Sequence, residues 1–138
     1  MKRALIDTNV IMDIACFRQP FFDDSSAIFE MIDENRLQGY LTATIVTDIF
    51  YLLNKDIGQQ KTLDFLKELL NILEVLAVDK EIILKALYSG TADFEDAVQT
   101  QTALHNNLDL IITRNSKDFE QFKALRVLTP RELIEEIE

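Results

Sequence analysis

Cysteine is almost absent from this 138-residue chain, with Cys16 the only one. A lone thiol makes no internal disulfide, which excludes a disulfide scaffold and points to a reducing cytoplasm. Within the apolar stretch IMDIACF, Cys16 reads as a small core residue rather than a nucleophile. Histidine is as scarce, with His105 alone, so no thiolate–imidazole metal set can be assembled. No glycine-rich phosphate loop follows the first apolar strand, which argues against a dinucleotide-binding protein. No apolar run reaches the roughly 18 residues that span a bilayer, so no membrane association is expected. The opening MKRALIDTNVIMDIACF is interrupted by Asp7 and Asp13 and lacks a small-residue cleavage site. It is therefore expected to belong to the fold and not to a secretory signal.

Positive charge is also in short supply. With 14 Lys and Arg against 24 Asp and Glu, the net charge is −10, the reverse of the basic footprint of a non-specific nucleic-acid binder. A nucleic-acid enzyme is still allowed, because clustered acids can hold divalent cations that invert the local potential where a phosphate docks. Against these shortages stands an apolar content of 48%, ample for one core. Without repeats or a linker, residues 1–138 read as a single domain.

Short β-rich runs alternate with longer helical ones, the pattern of an α/β fold with a parallel sheet. Strands are expected at about 3–7, 39–42, 74–78, 110–113 and 126–128. Helices are expected from Val10 to a break near Pro20, then over about 25–35, 45–55, 59–70, 80–89 and 93–106. Thr44 is the expected N-cap of the 45–55 helix, and Leu63, Leu66, Leu69 and Leu70 the buried side of the next. Thr129, Pro130 and Glu132 open a last helix with a cap, a first-position proline and a capping glutamate. Gly39, Gly58 and Gly90 fall at element ends, where turns and caps account for them.

Two apolar strands run into polar residues: one into Asp7, the other into Thr113, Arg114 and Asn115. In a parallel sheet ligands bind outside the carboxyl ends of the strands, so a carboxylate there enters a crevice. Its alternative role is local, an Asx turn or helix cap made with Asn9. Asp93 and Asp96 lie three apart on one side of a helix turn. Asp93 reads as an N-cap and Asp96 as the better ligand. Asp48 is a single acid in the apolar TIVTDIFYLL, either part of the crevice or paired with a base. After the fourth strand, Thr113 and Asn115 are placed to orient water or a phosphate, and Asp118 to bind metal directly or through water; a turn capped by Asn115 or Ser116 is the alternative. Arg114 and Lys117 either draw phosphates inward or sit in a solvated turn. His105 lies roughly 13 Å along its helix from Asp96 and reads as a surface or capping residue.

LIDTNV near the start, Asp48 some forty residues on, DFEDAVQTQTA, and LIITRNSKDF near the end follow one another in an order that resembles the PIN-domain nucleases. The resemblance covers essentially the whole chain. The DFEDA and TRN..DF segments resemble the bacterial branch that includes toxins of VapBC-type toxin–antitoxin systems. It implies a three-layer, Rossmann-like fold with a central, mainly parallel sheet of four to five strands flanked by helices. It also implies a metal-dependent endoribonuclease of the cytoplasm. Asp7, Asp48, Asp96 and Asn115 then take the catalytic positions, and Asp7, Asp48, Asp96 and Asp118 the metal. The implied cofactor is Mg²⁺ or Mn²⁺, a hard cation that prefers carboxylate, amide and water oxygens. The implied partners are an RNA substrate, a second copy of the chain and a small antitoxin whose C-terminal segment enters the groove. Asp48 stands where the family usually has Glu, and Asn115 where many members have Asp. These departures motivate a second reading, a non-catalytic PIN-like module that binds protein or RNA. A phosphatase using Asp7 as nucleophile is a third, weakened because Asn9 stands where its acid/base Asp would be.

Overall fold

A computed structural model describes residues 1–90, 93–119 and 125–137, with the side chain of Asp118 outside the described set. The described elements run in the order β1 (Arg3–Ile6), α1 (Thr8–Ala15), α2 (Phe22–Asp33), β2 (Gln38–Thr42), α3 (Ala43–Ile57), α4 (Gln59–Ile72), β3 (Glu74–Leu76), α5 (Lys80–Leu87), α6 (Phe94–His105), β4 (Leu110–Ile112), a 3-10 turn (Ser116–Phe119), β5 (Arg126–Leu128) and α7 (Pro130–Ile137). The five strands form one sheet in the order β3-β2-β1-β4-β5, every pair parallel.

Strand alternation builds the layers. Ala4 and Ile6 of β1, with Leu110 and Ile112 of β4, join a core that also takes Ile11, Ile28, Ile45 and Leu133. Leu5 and Ile111 point the other way, into a second core with Ala86, Ala97 and Phe119. The sheet therefore lies between α1–α4 with α7 on one face and α5–α6 on the other. This is the expected α/β architecture, with all five strands parallel. From β1 the chain steps outward to β2 and β3, then returns to place β4 on the other side of β1. The β1/β4 junction is thus a topological switch point, where a parallel sheet opens a crevice at its carboxyl edge.

Several local expectations are corrected. The third helix begins two residues early: the Thr42 hydroxyl accepts from the Ile45 amide at 3.3 Å, and the expected cap, Thr44, instead shares a hydroxyl contact with Thr42 at 2.9 Å. Leu70 is 41% exposed, because Leu66, Leu69 and Thr62 supply the inward stripe of α4. Gly39 serves no turn; it lies inside β2, where an added Cβ would come within 2.5 Å of Leu73 and 2.6 Å of Ile32. The last helix opens as expected, with Glu132 accepting from the Thr129 amide at 2.9 Å and the Thr129 hydroxyl accepting from the Glu132 amide at 3.2 Å.

Candidate functional site: an acidic crevice at the switch point

The sheet ladder reaches as far as Asp7, whose amide donates to the Ile112 carbonyl at 2.9 Å. Its side chain then turns to cap α1, so the local and the crevice readings of Asp7 are both realised by one residue. The carboxylate is 8% exposed and held by four donors. Oδ1 accepts from the Thr8 amide at 2.8 Å and from Gln99 Nε2 at 2.9 Å. Oδ2 accepts from the Thr113 hydroxyl at 2.7 Å and from Asn9 Nδ2 at 3.3 Å. A carboxylate taken out of water needs such donors to remain affordable.

The donors fasten neighbouring segments to one another. Asn9 Nδ2 also donates to Thr113 Oγ1 at 3.3 Å, and Asn9 Oδ1 accepts from the Arg114 amide at 3.0 Å. The Asn115 amide donates to Thr113 Oγ1 at 3.2 Å, while its side chain is exposed. Thr113 therefore serves as a strut between Asp7 and the 113–115 segment.

From α6 comes a second group of acids. Asp93 caps the helix, accepting from the Asp96 amide at 3.0 Å. Glu95 and Asp96 fill the first turn, one turn ahead of Gln99, and i to i+3 or i+4 spacing puts all three on one side. Burial pushes the Glu95 carboxyl up, and the charges of Asp48, Asp7 and Asp93 push it further in the same direction. Burial alone pushes up that of Asp48, half-buried on α3. A carboxyl raised by desolvation and by three neighbouring carboxylates, as Glu95 is, is one that a nearby positive charge would favour in its ionised form.

Of the residues singled out in the sequence, Asp7 and Asp48 share one electrostatic neighbourhood, with Glu95 as the group that feels both. Asp96 lies beside Glu95 in the chain. Asn115 is tied to this group through Thr113, and the Asp118 side chain lies outside the described residues. Arg114 does not reach into the crevice: its guanidinium packs over the Phe21 ring at 4.2 Å and pairs with Asp13. His105 ends α6, exposed. Sequence reasoning missed Glu95 and Gln99. The available signal was their i to i+4 spacing from each other in the helix that Asp93 caps, which sets both on one face.

Among the described residues no three His, Cys, Asp or Glu side chains close into a group ready to hold a metal ion. The donor chemistry nonetheless fits a hard divalent cation. The crevice offers the Glu95 carboxylate in the fields of Asp48, Asp7 and Asp93, and Gln99 Oε1 is buried beside Asp7 without a hydrogen-bond partner among the described residues.

The PIN domain family model matches residues 3–117. This chain belongs to the PIN domain family. The chain is also 30% identical over 139 residues to Ribonuclease VapC1 of Aquifex aeolicus (strain VF5), covering 97% of this chain and 94% of that protein. Its fold is similar to that of a DNA-bound VapBC from Salmonella typhimurium, with a TM-score of 0.71 at 16% identity, covering 94% of this chain and 99% of that one. A toxin–antitoxin complex from Klebsiella pneumoniae gives a TM-score of 0.68 at 22% identity over 92% and 97% of the two chains. Among the described residues no helix is long and apolar enough to cross a membrane.

Proposed function

We propose that this PIN domain is a divalent-metal-dependent endoribonuclease of the cytoplasm, the toxin half of a toxin–antitoxin pair. The observation that carries the reading is the Asp7 carboxylate, fixed by four donors at the switch point, with Glu95 in the fields of both Asp7 and Asp48. RNA as the substrate is supported by the identity to Ribonuclease VapC1 along nearly the full length of both proteins. Residues 1–138 act as a single domain in this reading.

Asp7, Asp48, Asp96 and Asp118 would hold Mg²⁺ or Mn²⁺, and Glu95 joins them. Such a cation supplies Lewis-acid stabilisation of a phosphodiester and makes water a stronger nucleophile at neutral pH. The chain's own contribution is order. Gln99 and Thr113 keep the two Asp7 oxygens oriented, and Asn9 ties that carboxylate to the loop that carries Asn115. The exposed Asn115 amide is placed to orient a substrate phosphate or a water. The acids of the crevice repel a polyanion until their charge is offset, so RNA binding and cation binding are coupled.

RNA cleavage assays with Mg²⁺ or Mn²⁺, comparing wild type with Asp7→Asn and Asp96→Asn, test this reading. Equal cleavage in all three would contradict it. The antitoxin and a second copy of the chain complete the proposed partners. Tyr51, Leu87 and Tyr88 are exposed large side chains available to such contacts. The open spacing of the acids favours one alternative, a non-catalytic PIN module, which failure to bind millimolar Mn²⁺ in calorimetry would support.

A further inference from the structure

Asp13 is fully buried in the last turn of α1, nearly two turns beyond Asp7. Its Oδ2 lies 3.1 Å from Arg114 Nε, and its Oδ1 3.9 Å from Arg18 Nη1. Arg18 is half exposed, so Arg114 is the principal counter-charge. A buried ion pair is a poor source of stability: desolvating both charges offsets most of their attraction, and an apolar pair of similar size would do as well or better. Neither Asp13 oxygen has a hydrogen bond to recover the loss among the described residues. What the pair does have is position. Arg114 directly follows Thr113 and precedes Asn115; its amide is held by Asn9, its guanidinium by Asp13 below and the Phe21 ring at 4.2 Å. The segment is thus fastened at two points, one at the Arg114 backbone amide and one at its side chain.

We propose that Asp13 is a positioning residue for the crevice, acting through Arg114 to hold the 113–115 segment against Asp7. A planar guanidinium fixed by a carboxylate and an aromatic face has one orientation, which a lysine in its place lacks. Without that anchor the Thr113 hydroxyl loses its fixed direction toward Asp7 Oδ2, and Asn115 its place at the rim. For catalysis the inference rests on the ribonuclease reading above.

Its test compares wild type, Asp13→Asn, Arg114→Lys, Arg114→Met and the double variant Asp13→Asn/Arg114→Met. Single-turnover cleavage of RNA in Mn²⁺ is expected to slow by about 10- to 100-fold in Asp13→Asn. RNA affinity stays within about twofold. The double variant is expected to be no slower than Arg114→Met alone, since both remove one device, and Arg114→Lys to fall between wild type and Arg114→Met. Wild-type cleavage rates in folded Asp13→Asn, or rate losses that multiply in the double variant, would overturn the proposal. Amide hydrogen exchange provides a readout independent of activity. Arg114 and Asn115 amides should exchange faster in Asp13→Asn while those of β1 stay protected. Unchanged exchange at both would overturn the inference even if no RNA were cleaved, whereas faster exchange with an inactive wild type would refute only the ribonuclease reading.

Discussion

Gln99 Nε2 donates to Asp7 Oδ1 at 2.9 Å, and this bond ties α6 to the end of β1 across 92 positions of sequence. It sets the height of α6 over the crevice and thereby where Glu95 and Asp96 stand. Replacing Gln99 with Ala removes one of four donors from a buried carboxylate. Removing a hydrogen bond to a charged group costs about 1.5–3 kcal/mol. The expected outcome is a lowered Tm together with roughly 10- to 100-fold weaker metal-dependent cleavage, the usual size of a supporting-shell effect. Thermal denaturation and single-turnover cleavage check both halves.

Asp13 predicts an unusual pH dependence. Burial raises its carboxyl above the ordinary 3.8, outweighing the pull of Arg114 and then of Arg18. Between that value and the raised one, the folded protein keeps a proton that the unfolded chain has released. Stability contributed at this site is therefore present at low pH and lost as pH rises through the window. Asp13→Asn cannot titrate. Relative to wild type it is expected to gain stability on going from acid to neutral pH, as measured by denaturant unfolding at several pH values. A variant whose relative stability falls over the same range would show that the ion pair outweighs the burial.

Gly39 predicts a purely structural effect. An added Cβ would press on Leu73 and Ile32 beneath β2, and overpacking of this kind costs about 1–3 kcal/mol. Gly39→Ala should lower Tm while leaving cleavage per folded molecule unchanged, because Gly39 pairs with Ala4, three residues before Asp7, and none of the four donors to Asp7 comes from β2.

Glu95 tests the cation. Its carboxyl lies in the fields of Asp48, Asp7 and Asp93, so neutralising it relieves repulsion. Glu95→Gln is expected to raise Tm in EDTA and to reduce the Tm gain that Mg²⁺ or Mn²⁺ gives the wild type, measured by calorimetry at fixed neutral pH. An undiminished gain would remove Glu95 from the cation site.

The layer architecture was legible in the sequence because short apolar strands such as Ala4-Leu5-Ile6, which feed cores on both faces of the sheet, alternate with longer helical runs. The end of β1 was legible for the same reason: a charge after an apolar strand has few places to go. What periodicity hides is which polar side chains turn inward. Gln99 looks like an ordinary helix surface residue until α6 is docked over β4. Glu95 was overshadowed by Asp93 and Asp96 on either side. Arg114 read as either a residue that draws phosphates inward or part of a solvated turn, yet the buried Asp13 holds it. Thr44 and Thr42 differ only in where β2 ends, a boundary set by pairing with β3 at Leu76.

The central claim is that a carboxylate crevice around Asp7 cleaves RNA with the help of a divalent cation. Its most direct test is RNA cleavage by wild type and Asp7→Asn, side by side in Mn²⁺ and in EDTA, with both proteins shown folded by circular dichroism. The account predicts cleavage by wild type in Mn²⁺ alone, with Asp7→Asn inactive in both. Equal cleavage by the two proteins, or wild-type cleavage undiminished in EDTA, would contradict it.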